Sequence, residues 1–397
     1  MGHGIDEAMA AIPDGARVLV GCGCAVPTAL VDAMNDGRDR WREIHLMAGY
    51  LIEPLSIFSA VPTPFTFTSL HPTPALSSID SSRLDIVPMR YGDHPRLLGA
   101  GGPLQPDVVL VQVSPPNENG RYSLGVSVGG LIDAVRAARV VIAQVNEHSP
   151  YTFGEGELER SDIDVLVEAA TPLVELRSPS SSSSAVLDAV AANAAGEIED
   201  GSAIQIGVGR LPTAVLSALA DHCGLVLRSG LSTDGCRALV ERGVLTGVST
   251  TAEIMGDADL FAWVDGNPSI RMVGAQTSHG MSALVQIPQF VAINSALEVD
   301  ETGAVNSEVG ADGRVLSGPG GLPDFVNAAL ATEDGRSIIA LPSTMGGGAA
   351  RIVRELSGGH VTLPAMLADR VCTEHGVARL RGLSVSARRR ALLDLVG

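Results

Sequence analysis

Two stretches far apart in the chain share one pattern, and this duplication constrains the fold more than any other feature. DGARVLVGCGCAVPTALVDAM occupies 14–34 and DGSAIQIGVGRLPTAVLSAL occupies 200–219. Each reads as an Asp-Gly turn, a short apolar run, G-x-G, and then Pro-Thr-Ala opening a segment with apolar residues three and four apart. A buried parallel strand feeding a glycine loop and a helix is an α/β arrangement, in which ligands bind beyond the strand C-termini. The expected fold is α/β, with two similar open α/β/α domains.

The division between the halves is read at SPSSSSSA (178–185), a polar low-complexity run with nothing to bury. It separates a domain over 1–177 from a domain over 186–397. Before it, PDVVLVQVSPPNENGRYSLG and ARVVIAQVN each give a continuous apolar strand ending in a polar loop. After it, FVAINSALEVD and SIIALPST do the same, and helices are predicted at LPDFVNAAL and AARIVRELS.

Composition narrows the chemistry. The 397 residues include no lysine, so all 27 basic residues are arginine. A Walker phosphate loop, a pyridoxal (PLP) Schiff base and a lysine nucleophile are therefore excluded. Any anionic ligand falls to arginine, backbone amides or helix N-termini. A net charge of -18 argues against nucleic-acid binding, and the basic terminal run RLRGLSVSARRR reads as a solvated helix face. No apolar run is long enough to span a bilayer and the N-terminus has no signal architecture, so a cytoplasmic protein is expected. Five scattered cysteines argue against a disulfide framework.

Glycine loops are the first candidates for a site. Gly207-Val208-Gly209 follows a strand, and Gly318-Pro319-Gly320-Gly321 leads into a helix. Such loops are turns in any α/β fold, yet they also let backbone amides reach a phosphate or a developing oxyanion. A dinucleotide (NAD) site is not expected, because no strict G-x-G-x-x-G stands between strand and helix. Cys22 and Cys24 lack a second ligand pair, so no metal is expected. Cys372 and His375, three apart in VCTEHG, read as structural. Ser229, Ser232 and Cys236 are nucleophiles only if a base lies near them.

These motifs together resemble the acetyl-CoA hydrolase/transferase group of class I CoA-transferases. The likeness is carried by VSPPNENGRYSLGVS, VIAQVNEHSP, IGVGRLPTAVLSAL, FVAINSALEVDETGAVNSE, GPGGLPDFVNAA, SIIALPST and CTEHGVARLRG, across nearly the whole chain. It implies an acyl-CoA substrate, no other cofactor, a homodimer or larger homo-oligomer, and binding by Gly207, Gly209, Ser114, Pro115, Asn267, Gly320, Gly321 and Leu322.

One departure falls on the nucleophile. Family members resemble L-G-x-H-[ST]-E-M-x-[ST]-D-G where this chain has VLRSGLSTDG (226–235), and the family glutamate attacks the thioester. That glutamate falls on Gly230, beside Ser229, and the histidine two before it falls on Arg228. The family's M-P-R-T is here Ser149-Pro150-Tyr151-Thr152, so Tyr151 replaces an arginine, and Leu322 replaces a glutamine. The likeness therefore implies a thioester pocket without its usual covalent step. Three outcomes are expected in turn: direct acyl transfer to an unidentified acceptor or to water, CoA transfer through a relocated nucleophile, or a silent CoA-binding subunit or scaffold.

Overall fold

The computed structural model describes residues 3–59, 63–177, 184–346 and 348–396, so most of the serine run lies outside the described residues. The chain forms two compact units, Met1–Leu176 with Ala252–Gln276, and Arg177–Thr251 with Thr277–Gly397. Residues 252–276, expected in the second domain, belong to the first. Ile254 N–H donates to Val126 O at 2.8 Å, Val128 N–H to Ala252 O at 3.0 Å, and Ile270–Met272 pairs in parallel with Phe153–Gly154. A backbone ladder holds the returning segment, and ladders of this kind leave little trace in local sequence.

In the first unit seven parallel strands run in the order Val165–Glu168, Val140–Val145, Val108–Val113, Arg17–Val20, Ile44–Ala48, Phe65–Ser69 and Leu84–Ile86. Val108–Val113 is buried at every position, which is why it reads as an unbroken apolar run. Helix Thr28–Asp36 packs Leu30, Val31 and Met34 into a core with Val18, Val20, Leu46 and Leu110.

The second unit repeats the plan. Its strands run Gly376–Arg379, Arg370–Thr373, Arg336–Ala340, Phe290–Ser295, Ala203–Ile206 and Val226–Ser232, parallel except at the Gly376–Arg379 edge. Helix Arg210–Ala218 buries Val215 and Leu216 against Ile204, Leu227 and Ile293. In each unit the chain leaves the first strand of the repeat toward one side and later returns to its other side. The loop after that strand, Gly21–Gly23 or Gly207–Gly209, thus lies at the point where strand order reverses.

The helix predicted at AARIVRELS does not form. Arg351 donates through Nε to Leu297 O at 2.8 Å and through Nη2 to Ala296 O at 2.9 Å, and Ile352 pairs with Val299 in a short sheet. Those contacts hold the segment extended against its helical periodicity. LPDFVNAAL does form a helix, Leu322–Ala331.

Candidate active site

At the reversal point of the second unit, strand Ala203–Ile206 ends in Gly207, and Gly209 caps helix Arg210–Ala218 with φ 120°. Only glycine adopts that backbone without strain. A side chain at Gly207 or Gly209 would meet nothing within 4 Å, so this stretch of backbone is open to close approach. On the neighbouring strand, Gly230 faces a different situation. An ideal Cβ there would stand 2.8 Å from both Cε1 and Nε2 of His279, and 3.5 Å from Cζ of Phe325.

His279 was missed by the sequence reading, and it occupies the space that a side chain at 230 would need. Its Nε2 would also lie 2.5 Å from a Cβ on Gly321, the residue that caps helix Leu322–Ala331. The ring rests on Phe325, with centroids 4.5 Å apart, and Nδ1 lies 2.8 Å from Ser278 Oγ. His279 is 4% exposed. Two glycines thus enclose the Nε2 edge of a buried imidazole.

The other candidates of this unit divide clearly. Ser229 Oγ donates to Ile206 O at 2.9 Å and accepts from Ile206 N and Leu231 N, so it ties two strands together. Arg228 Nη1 donates to Leu227 O at 3.0 Å and Val248 O at 2.7 Å. Leu322, expected at the substrate, is 6% exposed and packs with Val299, Val326, Ile339 and Leu341 in the core. Gly320 takes φ 53°, the turn that delivers the chain to Gly321. Burial pushes the Cys372 thiol up to about 12, which fits the structural reading.

In the first unit Ser114, Pro115 and Tyr151 come together on a cavity of about 580 Å³, with Asn117, Leu173 and Phe261. Ser114 Oγ accepts from Ser123 N at 3.1 Å and donates to Pro115 O at 2.9 Å, so it shapes the loop. Tyr151 Oη accepts from Asn117 Nδ2 at 2.9 Å and donates to Glu157 Oε1 at 2.7 Å. Burial, then that acceptor, raise the phenol pKa, so Tyr151 stays neutral. Asn267 spends its amide on a turn: Nδ2 donates to Trp263 O, and Oδ1 accepts from Ser269 N and Oγ. It is a positioning residue for the loop after Gly266.

The first unit also holds a buried acid beside its own glycine loop. Tyr91 Oη donates to Glu253 Oε1 at 2.6 Å, and burial lifts the Glu253 carboxyl to about 7. Cys22 Sγ lies 3.9 Å from Ser127 Oγ, and burial raises its pKa. Among the described residues no group of three or more His, Cys, Asp or Glu could hold a metal ion.

Comparison with known proteins gives these positions a context. Residues 4–175 match the acetyl-CoA hydrolase/transferase N-terminal domain and residues 256–396 the corresponding C-terminal domain. The chain is 35% identical over 329 residues to 4-hydroxybutyrate coenzyme A transferase of Clostridium kluyveri, covering 80% of this chain and 76% of that protein. It is 31% identical over 415 residues to a succinyl-CoA:acetate/propanoyl-CoA:succinate CoA transferase of Fasciola hepatica, covering 98% and 84%. The crystal structure of RipA from Yersinia pestis superposes with a TM-score of 0.89 at 27% identity, covering all of this chain and 94% of that one.

Proposed function

The chain belongs to the acetyl-CoA hydrolase/transferase family, and from that premise we propose that it passes an acyl group from acyl-CoA directly to a nucleophilic acceptor or to water. It does so without a covalent intermediate on strand Val226–Ser232. The observation that carries this reading is Gly230 with His279 packed against it: the strand offers no carboxylate there, and an imidazole fills the space one would need. Covalent catalysis by a carboxylate divides CoA exchange into two steps, and without it a direct attack on the thioester remains.

Proximity and oriented amides supply several powers of ten without any covalent step. The open Gly207–Gly209 backbone is suited to polarising the thioester carbonyl. Tyr151 stands where the family likeness expects arginine, and its hydroxyl is committed to Glu157, so it brings no cation to a carboxylate acceptor. The reading is completed by a cytoplasmic homo-oligomer. The test is incubation with acetyl-, butyryl- and octanoyl-CoA, with free thiol followed with and without acetate. Thiol release that does not need acetate is expected; acetate-dependent conversion of the longer thioesters to acetyl-CoA and the free acid, without release of thiol, would refute it.

A further inference from the structure

We infer that the cavity of the first unit binds an organic cation, an amine carried on an apolar body. The inference goes beyond the acyl-CoA reading above and does not depend on it.

The argument starts from place. The walls come from the loops that follow three neighbouring strands, Val108–Val113, Val140–Val145 and Val165–Glu168, and from helix Ala258–Val264. This is the carboxyl edge of a parallel sheet, where open α/β domains take their ligands. The volume of about 580 Å³ suits a small organic molecule. Buried Leu173 and Phe261 give the wall an apolar part.

An account of the hydrogen-bond donors then fixes the sign of the charge. An anion is held by guanidinium groups, free amides or an open helix N-terminus, and the wall is poor in all three. No arginine lines the cavity, and His148 is its one basic side chain among the described residues. Pro115, Pro116, Pro150 and Pro172 have no N–H to give. The amides of Ser114, Asn117, His148, Ser149 and Tyr151 already donate, to Ser123 O, Arg121 O, Asn146 Oδ1, Asn146 O and Asp265 Oδ1. Asp257 Oδ1 accepts from Asp259 N and Leu260 N, which closes the start of helix Ala258–Val264.

Acceptors are what the wall offers instead. Glu147, Glu175 and Asp265 line it, and Glu147 and Asp265 stand exposed. Among the described residues no three His, Cys, Asp or Glu groups could hold a metal ion. Carboxylates dispersed in this way, with the aromatic rings of Tyr151 and Phe261, suit an ammonium group on an apolar body. Ser149 is an independent sign in the same wall: it is 3% exposed, and its Oγ has no hydrogen-bond partner among the described residues. A buried hydroxyl left unmet beside a cavity is a place where a ligand completes the bonding.

The test is titration calorimetry on the full chain at neutral pH with phenethylamine, phenethyl alcohol and phenylpropionate, which share one body and differ in charge. The amine is expected to bind about tenfold or more tighter than the carboxylate, and less tightly as salt is raised. Glu147→Gln combined with Asp265→Asn, which keeps an oxygen for Tyr151 N, should weaken amine binding by about fivefold or more and leave the alcohol within about twofold. Ala262→Trp, at an exposed position of the wall, should block the amine. Melting curves establish that each variant is folded, and Glu147→Gln alone serves if the double variant is not. No detectable binding of the amine, or binding of the carboxylate as tight as that of the amine, would overturn the inference. So would amine binding that a folded Ala262→Trp or charge variant leaves intact. None of these outcomes touches thiol release from acyl-CoA, which stands or falls by its own assay.

Discussion

Gly230→Ala isolates the contact on which the site rests, and its sign is the informative quantity. Gly230 is not among the glycines with positive φ, so alanine fits the backbone. In open space the exchange would stabilise the protein by about 0.4–1 kcal/mol through the unfolded chain. Here the new methyl would lie 2.8 Å from two ring atoms of His279. The ring has no easy retreat, since Phe325 lies on one side, Gly321 meets its Nε2 edge, and Nδ1 is held near Ser278. Overpacking of this kind costs about 1–3 kcal/mol, or a fall in Tm of about 2–12 °C in a unit of this size. Scanning calorimetry of Gly230→Ala, His279→Ala and the double variant closes the cycle. In the His279→Ala background the alanine at 230 should become neutral or stabilising, a coupling on the order of 1–3 kcal/mol. A Tm for Gly230→Ala equal to or above that of the parent, or a penalty that survives removal of His279, would refute the packing on which the assignment is built. Gly230→Glu adds a longer side chain to the same clash, so restoring the family residue is expected to destabilise the unit and to bring at most weak CoA exchange.

Three further outcomes are expected. Treatment with acyl-CoA followed by borohydride should leave residues 226–235 unmodified in peptide mass analysis; a reduced or CoA-bearing side chain there would restore covalent catalysis. CoA should raise the Tm in proportion to ln(1 + [L]/Kd) while NADH does not, and equal stabilisation by NADH would point to a dinucleotide site. Burial raises the Glu253 carboxyl from 4.5 to about 7, so the folded protein holds a proton that the unfolded chain releases. Its contribution is full below about pH 4.5 and is lost as pH rises to about 7, on the order of 3 kcal/mol. Buried His71, lowered to about 4, acts in the opposite sense between pH 6.5 and 4, so the measurement is the difference between parent and Glu253→Gln. That difference should grow in favour of the glutamine variant from pH 4.5 to 7, and a flat difference would count against a raised pKa.

The parts legible in the sequence are those whose burial is local. Val108–Val113 and Val140–Val145 are inner strands of a parallel sheet, so nearly every residue is apolar and the strand announces itself. The Asp-Gly and G-x-G signals of the repeat mark turns that depend on neighbouring residues alone. What escaped depends on distant partners. Residues 252–276 return to the first unit through hydrogen bonds to Val126, Val128 and Phe153–Gly154, groups that every sequence possesses. Leu322 stands where the family likeness has a glutamine, which implied a substrate contact, yet the helix turns it into the core. His279 sits in SHGMSALVQIP, where no periodicity points toward Gly230, and the signal was the unexplained glycine itself.

The duplication gives that glycine a counterpart and sharpens its meaning. Arg17 pairs with His45 in the first sheet as Ala203 pairs with Val226 in the second, and the same register carries Gly49 onto Gly230. Both halves therefore lack a side chain at the same point, one strand over from the glycine loop. In the first half the space is met by Cys22 Sγ, 3.2 Å from an ideal Cβ on Gly49, and burial raises that thiol pKa and keeps it protonated. In the second half the occupant is the His279 imidazole, resting on Phe325. One backbone geometry has thus been filled once by a thiol and once by an aromatic ring. Filling by His279 requires a second glycine, Gly321, whereas filling by Cys22 comes from the loop of its own repeat. The additional glycine in the second half is the structural consequence expected when a ring must be seated at that position, and it ties GPGGLPDF to position 230 through space.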